Sequence, residues 1–397
     1  MFKFKKELKI ISGDLNLIKS PSEIFEKLTI DFLSTLSNKI LNSAHLRIYS
    51  DLISFGFWCR KKNLIKIKES YEKNRLGRGI AFHICPSNVP MNFAFSMSLG
   101  LMSGNSNIIR LPSFQFDQVT ELCVLINQIL KKKKFISLKK KICLIKYDRS
   151  NKISEEISKV SDVRIVWGGD KTVQNFKKII TKPKCLDINF PNRYSFSIIN
   201  SDKFKKLKPL QIKSLAKKFY LDTFTMDQNG CSSPKAIFWI KKTSKIAKEI
   251  FWNEIHKLAK ESFDFNLPKT SKKYFELNRD IIKYRKKIQY HSKNFKVVRM
   301  NIKNLSDLNS LESIQPGLGV FAEKDIHNLK VLQNYITSRS QTMTYFGFEK
   351  EEIRNMIIKN RFQGIDRVVQ IGNAFRMSNI WDGFDMINTL SREISLQ

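Results

Sequence analysis

Residues 79–90 read Gly-Ile-Ala-Phe-His-Ile-Cys-Pro-Ser-Asn-Val-Pro, and this stretch decides the fold. Its first half is an apolar run typical of a buried strand, which ends abruptly at the turn 86–90. About a dozen residues of helical character follow, and Gly104-Asn105 then gives a stop signal before a second strand-like run at 107–111. The stretch therefore predicts a unit of strand, turn, helix and strand.

The same alternation continues along the chain. Its pattern predicts strands at 142–145 and 163–167, and helices at 116–130, 154–160 and 171–180. Alternating strands and helices indicate an α/β fold with a mainly parallel, doubly wound sheet, whose ligands bind at the carboxyl ends of the strands. The turns 86–90 and 168–170 both fall at such ends.

The flanking segments extend this organisation in both directions. Ser20-Pro-Ser-Glu23 has the composition of a capping box with proline at the first helical position, so we expect a helix from there to Ile40. A second set of elements follows residue 181. It comprises helices near 207–219 and 244–262 and strands at 236–240, 295–300, 319–322, 341–346 and 366–371. The polar residues 265–293 are interpreted as an insertion or surface excursion.

Length and charge limit the class of protein. A chain of 397 residues exceeds the size of one hydrophobic core, which predicts two domains or one domain with a substantial extension. The 71 Lys plus Arg against 36 Asp plus Glu give a net charge of +35, which first suggests a nucleic acid or an anionic membrane as partner. The chain contains no nucleic-acid-binding motif, and its abundance of Lys, Ile, Asn and Phe is that of an AT-rich coding sequence. The Lys-rich stretch 131–141 is accordingly interpreted as a solvated connection, and we expect no nucleic-acid partner.

The cysteines and apolar runs give further expectations. The six cysteines form no C-x-x-C pair and have no histidine at zinc spacing, so neither a metal site nor a disulfide framework is expected. The N-terminus does not have the pattern of a signal peptide, which favours the cytoplasm. The longest apolar run, 91–102, is too short to span a bilayer, so no integral membrane segment is expected.

One cysteine stands in a distinctive context. Cys231 follows a glycine and precedes two serines in Asp227-Gln-Asn-Gly-Cys-Ser-Ser-Pro234, between a predicted helix and a predicted strand. A cysteine on such a turn can present its sulfur and its own backbone N–H to a cleft, where a thiolate attacks an acyl carbon. A buried structural cysteine in a loop explains this segment equally well.

The order of several motifs distinguishes these two interpretations. The turn Pro86-Ser-Asn-Val-Pro90, the run 104–113 ending in Arg-Leu-Pro-Ser, the turn Trp167-Gly-Gly-Asp170, and Cys231 follow one another as in the aldehyde dehydrogenase superfamily, which the chain resembles. Within the superfamily it is similar to the LuxC type of acyl-CoA reductase. That similarity adds His83, Cys231-Ser-Ser-Pro234, the motif 364–372 and Trp381-Asp-Gly-Phe-Asp385, and it covers roughly residues 75–395.

The resemblance implies an aldehyde-dehydrogenase-like fold. A Rossmann-type cofactor domain at 1–199, with a helical lead-in to about residue 75, would precede an α/β catalytic domain at 200–372. The tail 373–397 would contribute to the active-site wall or to contacts within a homo-oligomer.

The resemblance also implies roles for individual residues. Cys231 would be the nucleophile that accepts an acyl group, and Asn88 the oxyanion donor, although an Asx-turn is the local alternative for Asn88. His83, inside an apolar strand run, is interpreted as structural rather than as a proton donor. The residues expected to bind the cofactor are Pro86, Ser87, Arg110, Ser113, Gly168, Gly169, Asp170 and Thr172.

Arg110 bears on the choice of cofactor. Superfamily members usually have a lysine there, and a guanidinium could hold a 2′-phosphate through two hydrogen bonds, which favours NADPH over NADH. A solvated arginine at a strand end is the alternative. If Asp170 points at the phosphate, its charge favours the opposite choice.

One departure from the superfamily indicates the direction of the reaction. Hydrolytic members carry a Glu-Leu-Gly-Gly segment whose glutamate activates water, whereas the corresponding residues 187–195 lack it and contain only one acid, Asp187. The expected activity is therefore NADPH-dependent reduction of an acyl thioester, from acyl-CoA or an acyl-carrier or other acyl-protein, to an aldehyde. An acyl-activating ligase would be a partner. The alternatives are an oxidative aldehyde dehydrogenase and a basic binding protein on a degenerate enzyme scaffold.

Overall fold

The structure is a computed structural model that describes residues 7–72, 74–148, 151–241, 245–284, 288–302 and 317–397. The chain forms two compact units. The first unit contains residues 1–192 and 377–397, and the second contains residues 193–376.

The first unit is built on a six-stranded sheet with the order β1-β5-β4-β3-β6-β7. All neighbouring strands are parallel except β1, which pairs antiparallel with β5. Its elements up to the end of that sheet are β1 (Lys9–Gly13), α1 (Lys27–Asn42), α2 (Ser50–Trp58), α3 (Lys61–Lys68), β2 (Arg75–Gly77), β3 (Ile80–Ile84), α4 (Asn92–Met102), β4 (Ser106–Arg110), α5 (Asp117–Leu130), β5 (Ile142–Lys146), α6 (Asn151–Val160), β6 (Val163–Trp167), α7 (Asp170–Lys177) and β7 (Leu186–Phe190).

Strand β3 shows why these residues fold in this way. Every residue of β3 is buried, and successive side chains point to opposite faces of the sheet. Phe82 packs into the cluster formed with α6 and α7, whereas Ala81 packs into the cluster formed with α1, α4 and α5. A strand covered by helices on both faces reads as a continuous apolar run, which is why 79–85 was recognisable in the sequence.

The second unit contains a seven-stranded sheet with the order β10-β11-β12-β9-β8-β13-β14. Only the pair β10 and β11 is antiparallel. The elements are β8 (Tyr194–Asn200), α8 (Ser201–Phe204), α9 (Pro209–Phe224), β9 (Pro234–Ile240), α10 (Lys245–Ser262), α11 (Leu267–Tyr284), β10 (Ile288–Asn294), β11 (Val297–Ile302), β12 (Val320–Ile326), β13 (Ser340–Phe346), α12 (Lys350–Lys359) and β14 (Arg367–Gln370).

The last residues of the chain return to the first unit. They form β15 (Ile380–Trp381), β16 (Phe384–Asp385), α13 (Met386–Leu390) and β17 (Ser391–Glu393), and β17 pairs antiparallel with β2. The units divide at Asn192 rather than at the expected residue 199, because β8 is an interior strand of the second sheet. The functional names given to the two expected domains remain predictions.

One sequence expectation is wrong. The helix predicted from Ser20 begins only at Lys27, since Glu23 forms a β-bridge with Leu76 and Phe25 has a positive φ angle of 52°, neither of which a helix allows. The segment predicted as an insertion or surface excursion, 265–293, contains α11 and the edge strand β10, and most of the α11 side chains are exposed or partly exposed. Its polar composition concealed apolar contacts with the core, such as that of Tyr284.

Among the helices within the described ranges, none combines the length and the apolarity that crossing a membrane requires.

Lys273 on α11 is a buried cation held by neutral groups. Its side chain is 1% exposed, and its Nζ donates to the backbone carbonyls of Lys296 at 3.0 Å and Leu318 at 2.9 Å. The rings of Phe265 and Phe295 lie 5.4 and 5.2 Å from Nζ. Because burial disfavours the charged form, the pKa of Lys273 falls to about 7.

This burial makes stability depend on pH. Between pH 7 and the ordinary lysine value of 10.5, the unfolded chain binds a proton that the folded chain has lost. The free energy of unfolding therefore rises with pH by up to about 1.4 kcal/mol per pH unit in this window. We expect Lys273→Met to lack this increment in urea denaturation at pH 7, 8 and 9, whereas Lys272→Met, exposed on the same helix, should retain it. Equal pH slopes for Lys273→Met and the wild type would contradict the assignment.

Candidate active site

The carboxyl edge of the first sheet brings most of the predicted cofactor residues together. After β3 the chain builds β4 and β5 on one side, and it then crosses to build β6 and β7 on the other. Doubly wound sheets bind ligands at the carboxyl ends of strands where the strand order reverses in this way. The predicted residues follow the ends of β3 (Pro86, Ser87, Asn88), β4 (Arg110, Ser113) and β6 (Gly168, Gly169, Asp170, Thr172).

Asn88 lies in the turn between β3 and α4, and its side chain is exposed. Within the described ranges, its side chain forms no hydrogen bond, so the Asx-turn is not observed there. The turn is instead closed by the backbone, through a bond from the Asn92 N–H to the Val89 carbonyl at 3.2 Å. The Asn88 amide thus retains its capacity to donate to a ligand.

The turn after β6 leads directly into the N-terminus of α7. Gly169 caps α7, whose first-turn N–H groups and dipole favour an anion. A Cβ atom on Gly168 would lie 3.0 Å from the Cβ of Thr172, so a larger residue would obstruct this end of the helix. The Oδ1 atom of Asp170 accepts from the Asn192 N–H at 3.1 Å. That bond gives the Asp170 carboxylate a partner within the protein, which reduces its conflict with a phosphate.

Arg110 is placed by an aromatic ring. Its guanidinium carbon lies 4.5 Å from the centre of the Tyr147 ring, and the Tyr147 hydroxyl is hydrogen-bonded to Ser154 at 3.0 Å. The contact restricts the guanidinium more than solvation alone would. Ser113, in the following loop, is exposed.

His83 is structural, as its sequence context indicated. It is fully buried, with Nδ1 2.7 Å from the Ser96 hydroxyl and Nε2 2.9 Å from the Asn107 side-chain oxygen. Burial lowers its pKa to about 4, an effect that the hydrogen bond to Asn107 partly opposes. The ring is therefore neutral at physiological pH.

Asp187 also has a structural partner. It lies opposite Arg164 across the pair β6 and β7, and its two carboxylate oxygens accept from the Arg164 guanidinium at 2.8 and 2.5 Å. Both carboxylate oxygens are therefore engaged by charge-assisted hydrogen bonds within the sheet. Asp187 is for that reason poorly suited to activate water.

The loop that carries Cys231 in the second unit is closely held. Asp227 and Gln228 adopt positive φ angles of 52° and 58°, a costly conformation for residues other than glycine. The buried Gln228 side chain compensates by bonding to the Pro234 and Val320 carbonyls and accepting from the Gly319 N–H at 2.7 Å. The loop conformation is therefore fixed by side-chain hydrogen bonds.

Gly230 is required by packing. A Cβ atom at this position would lie 2.7 Å from the Phe375 ring, so the glycine allows that ring to approach the loop next to Cys231. The Cys231 side chain itself is partly exposed, as a nucleophile requires.

Two residues of the second sheet contact Cys231 directly. The Ser195 hydroxyl donates to the Cys231 carbonyl at 2.6 Å and accepts from the Thr342 N–H at 3.1 Å. The Gln341 Nε2 donates to the Cys231 sulfur at 3.3 Å. Neither Ser195 nor Gln341 had a predicted role.

Two cations interact with Cys231 electrostatically. Burial lowers the pKa of Lys235, and the negative charge of the Cys231 thiolate opposes that shift. Burial likewise lowers the pKa of Arg367 to about 10, and the charges of Cys231 and Asp222 oppose it. Because such interactions are mutual, both cations stabilise the thiolate.

Arg367 is fixed by backbone groups. Its guanidinium donates to the carbonyl oxygens of Asn373, Ala374 and Arg376. Asp222 on α9 holds the same loop, because its carboxylate accepts from the N–H groups of Gly372 at 2.6 Å and Ala374 at 2.9 Å. Burial raises the pKa of Asp222 to about 6, and it is ionised above that value.

Signals for these residues were present but weak. Arg367 lies in the motif 364–372 that contributed to the family resemblance, although nothing in the motif indicated its partners. Gln341 and Ser195 lie in strand-like runs without a motif of their own. Within the described ranges, no group of three or more His, Cys, Asp or Glu residues could hold a metal ion.

Comparison with solved structures defines the class of fold. The chain is similar to bifunctional proline utilization A (PutA) with a TM-score of 0.63 and 13% identity, over 92% of this chain and 42% of that one. It is similar to a variant of Thermus thermophilus 1-pyrroline-5-carboxylate dehydrogenase (TM-score 0.60, 9% identity, 92% and 79% coverage) and to lactaldehyde dehydrogenase (0.59, 13%, 86% and 78%). The fold is that of the aldehyde dehydrogenase superfamily. The chain spans less than half the length of the PutA chain.

The family follows from the sequence match. Residues 61–393 match the family model described as acyl-CoA reductase (LuxC), and the chain belongs to that family. The family and the fold together imply a nicotinamide cofactor. No curated protein sequence matches the chain significantly.

The contacts of Asp222 generate a prediction. In Asp222→Asn one carboxylate oxygen becomes an NH₂ group that cannot accept from its backbone N–H, so we expect a loss of about 1–3 kcal/mol in the free energy of unfolding. Alkylation of Cys231 should also become slower, because the loop that holds Arg367 loosens. Urea denaturation and iodoacetamide labelling measure the two effects. Asp264→Asn, which alters a side chain that is 80% exposed, is the control. Wild-type stability and a wild-type alkylation rate in Asp222→Asn would refute the role of Asp222 in holding the loop that binds Arg367.

Proposed function

We propose that the protein reduces an acyl thioester to an aldehyde with NADPH, through an acyl group carried on Cys231. The observation that carries this proposal is the environment of Cys231, a partly exposed sulfur with a hydrogen-bond donor and two cations that interact with it. Such surroundings favour the thiolate, which is the nucleophilic form of cysteine.

The chain's own residues account for the acylation step. The Cys231 sulfur forms a bond with the acyl carbon, the bond between that carbon and the sulfur of the donor thioester breaks, and the donor leaves as a thiol. The negative charge that develops on the carbonyl oxygen requires hydrogen-bond donors. In this proposal the Cys231 N–H supplies one of them, and the oxyanion role that the family resemblance implies for Asn88 remains a prediction. The nicotinamide cofactor, when bound, supplies a hydride.

The pairing of Asp187 with Arg164 favours reduction over acid formation. Asp187, the acid nearest to the position of the superfamily's glutamate, is paired with Arg164. An acyl group on Cys231 would therefore persist until it is reduced. This supports a reductase in preference to an enzyme that oxidises aldehydes to acids.

The acyl-enzyme can be tested without cofactor. Intact-mass spectrometry after exposure to acyl-CoAs of graded chain length should show one added acyl group on the wild type and none on Cys231→Ala. Cys185→Ala, which alters the other partly exposed cysteine, should be acylated like the wild type. Acylation of Cys231→Ala to the wild-type extent would refute the nucleophile. Faster release of free acid from an aldehyde than reduction of the thioester would favour the oxidative alternative.

The preference for NADPH can be tested at Arg110. If its guanidinium contacts the 2′-phosphate, Arg110→Ala loses a charge-assisted interaction, and we expect the KM for NADPH to rise at least about tenfold. The KM for NADH should change little. Lys159→Ala, which removes an exposed cation from α6, is the control. An equal rise in the KM for NADPH and the KM for NADH in Arg110→Ala would show that Arg110 does not contact the 2′-phosphate.

A further inference from the structure

The pairing of β8 with each of its two neighbouring strands, β13 and β9, contains a register shift, and both shifts lie next to Ser195. From Ser340 to Met343, β13 advances three residues while its partner β8 advances two, from Tyr194 to Phe196. Two residues, Gln341 and Thr342, therefore stand opposite Ser195 alone. This is a β-bulge, which re-aims side chains and is frequent beside active sites.

The second irregularity lies on the other side of β8. Ser195 and Phe196 pair with Pro234 and Ala236, so Lys235 is the additional residue of β9. The two bulges meet at Ser195, which is fully buried. On the β9 side, the additional residue is Lys235, whose charge interacts with Cys231. On the β13 side, the bulge contains Gln341.

We propose that Gln341 is a catalytic residue whose side-chain amide holds the Cys231 thiolate and orients it for acyl transfer. This inference rests on the proposed function of Cys231 and adds a residue to its site. Three contacts carry it. The Gln341 Nε2 donates to the sulfur, the Gln341 Oε1 accepts from the Thr342 hydroxyl at 3.2 Å, and the Ser195 hydroxyl joins the Cys231 carbonyl to the Thr342 N–H.

The donor acts differently on the two forms of the sulfur. A thiolate is a strong acceptor, whereas a thioester sulfur carries no charge and accepts weakly. The amide of Gln341 therefore stabilises the attacking form more than the acylated form. Because Gln341 is only 2% exposed, little water can replace its hydrogen bond.

Charged groups from neighbouring strands act in the same direction. Lys235 on β9 and Arg367 on β14 interact with Cys231, and Glu276 and Lys272 on α11 interact in turn with Lys235. A neutral donor and two cations thus contribute to one thiolate. Removal of Gln341 should weaken that stabilisation without abolishing it.

The test measures the sulfur itself. The rate of iodoacetamide alkylation of Cys231, followed against pH by peptide mass spectrometry, reports the fraction of thiolate without acyl donor or cofactor. In Gln341→Met, which keeps the size of the side chain but has no donor, we expect the midpoint of this profile to rise by about one pH unit. Gln341→Glu places a negative charge beside the sulfur, and its midpoint should rise further.

The controls separate this role from folding and from the proposed function. Gln289→Met, on exposed β10, should leave the profile unchanged, and thermal melts establish that each variant is folded. If Gln341→Met does not fold, Thr342→Val, which removes the donor to the Gln341 Oε1, should raise the midpoint by a smaller amount. Wild-type midpoints in the folded variants overturn the proposal. If the wild type is not acylated by acyl-CoA but Gln341→Met still shifts the midpoint of the alkylation profile, the proposed function is overturned and the role of Gln341 at the sulfur stands.

Discussion

The Ser195 hydroxyl makes the two hydrogen bonds on which the geometry around Cys231 depends. One bond reaches the loop that carries the nucleophile, and the other reaches a backbone N–H of β13 at a bulge. A bulge leaves ladder groups without their regular partner, and a buried N–H without an acceptor would cost about 1–3 kcal/mol. Ser195 supplies that acceptor and fixes the loop with the same oxygen. The sheet and the nucleophile are thereby coupled through one side chain.

The first unit was the more predictable of the two from the sequence. Its strands are covered on both faces, so they appear as short apolar runs, and the turns at their carboxyl ends contain proline, glycine and asparagine. Because parallel strands present their carboxyl ends at one edge, the strand order was sufficient to bring Asn88, Arg110 and Gly168 to that edge. The helix start near residue 20 failed because a long-range β-bridge of Glu23 overrode a local capping pattern.

The contacts of Cys231 could not be predicted in the same way. They depend on register, and a shift of one residue exchanges the side chains that face a given neighbour. The residue types in Ser340-Gln-Thr-Met343 do not indicate a bulge. The position of the Arg367 guanidinium is fixed by backbone carbonyl groups, which every residue type carries and which therefore leave no signal in the sequence. Lys273 shows a different difficulty, because its charge gave no sign that its side chain is buried on a largely exposed helix.

Most of the charges behind the net charge of +35 lie on exposed side chains and act on no particular group, whereas a few cations are held at fixed positions. The lysines of 131–141 are mostly exposed, and at physiological ionic strength their field decays within about 8 Å. Lys235 and Arg367 are largely withdrawn from solvent, so their interactions with Cys231 are screened much less. Arg367 is also held by backbone carbonyls, so little reorganisation is needed when charge develops on the sulfur. The chemistry at Cys231 therefore depends on where these two cations are held rather than on how many lysines the chain contains.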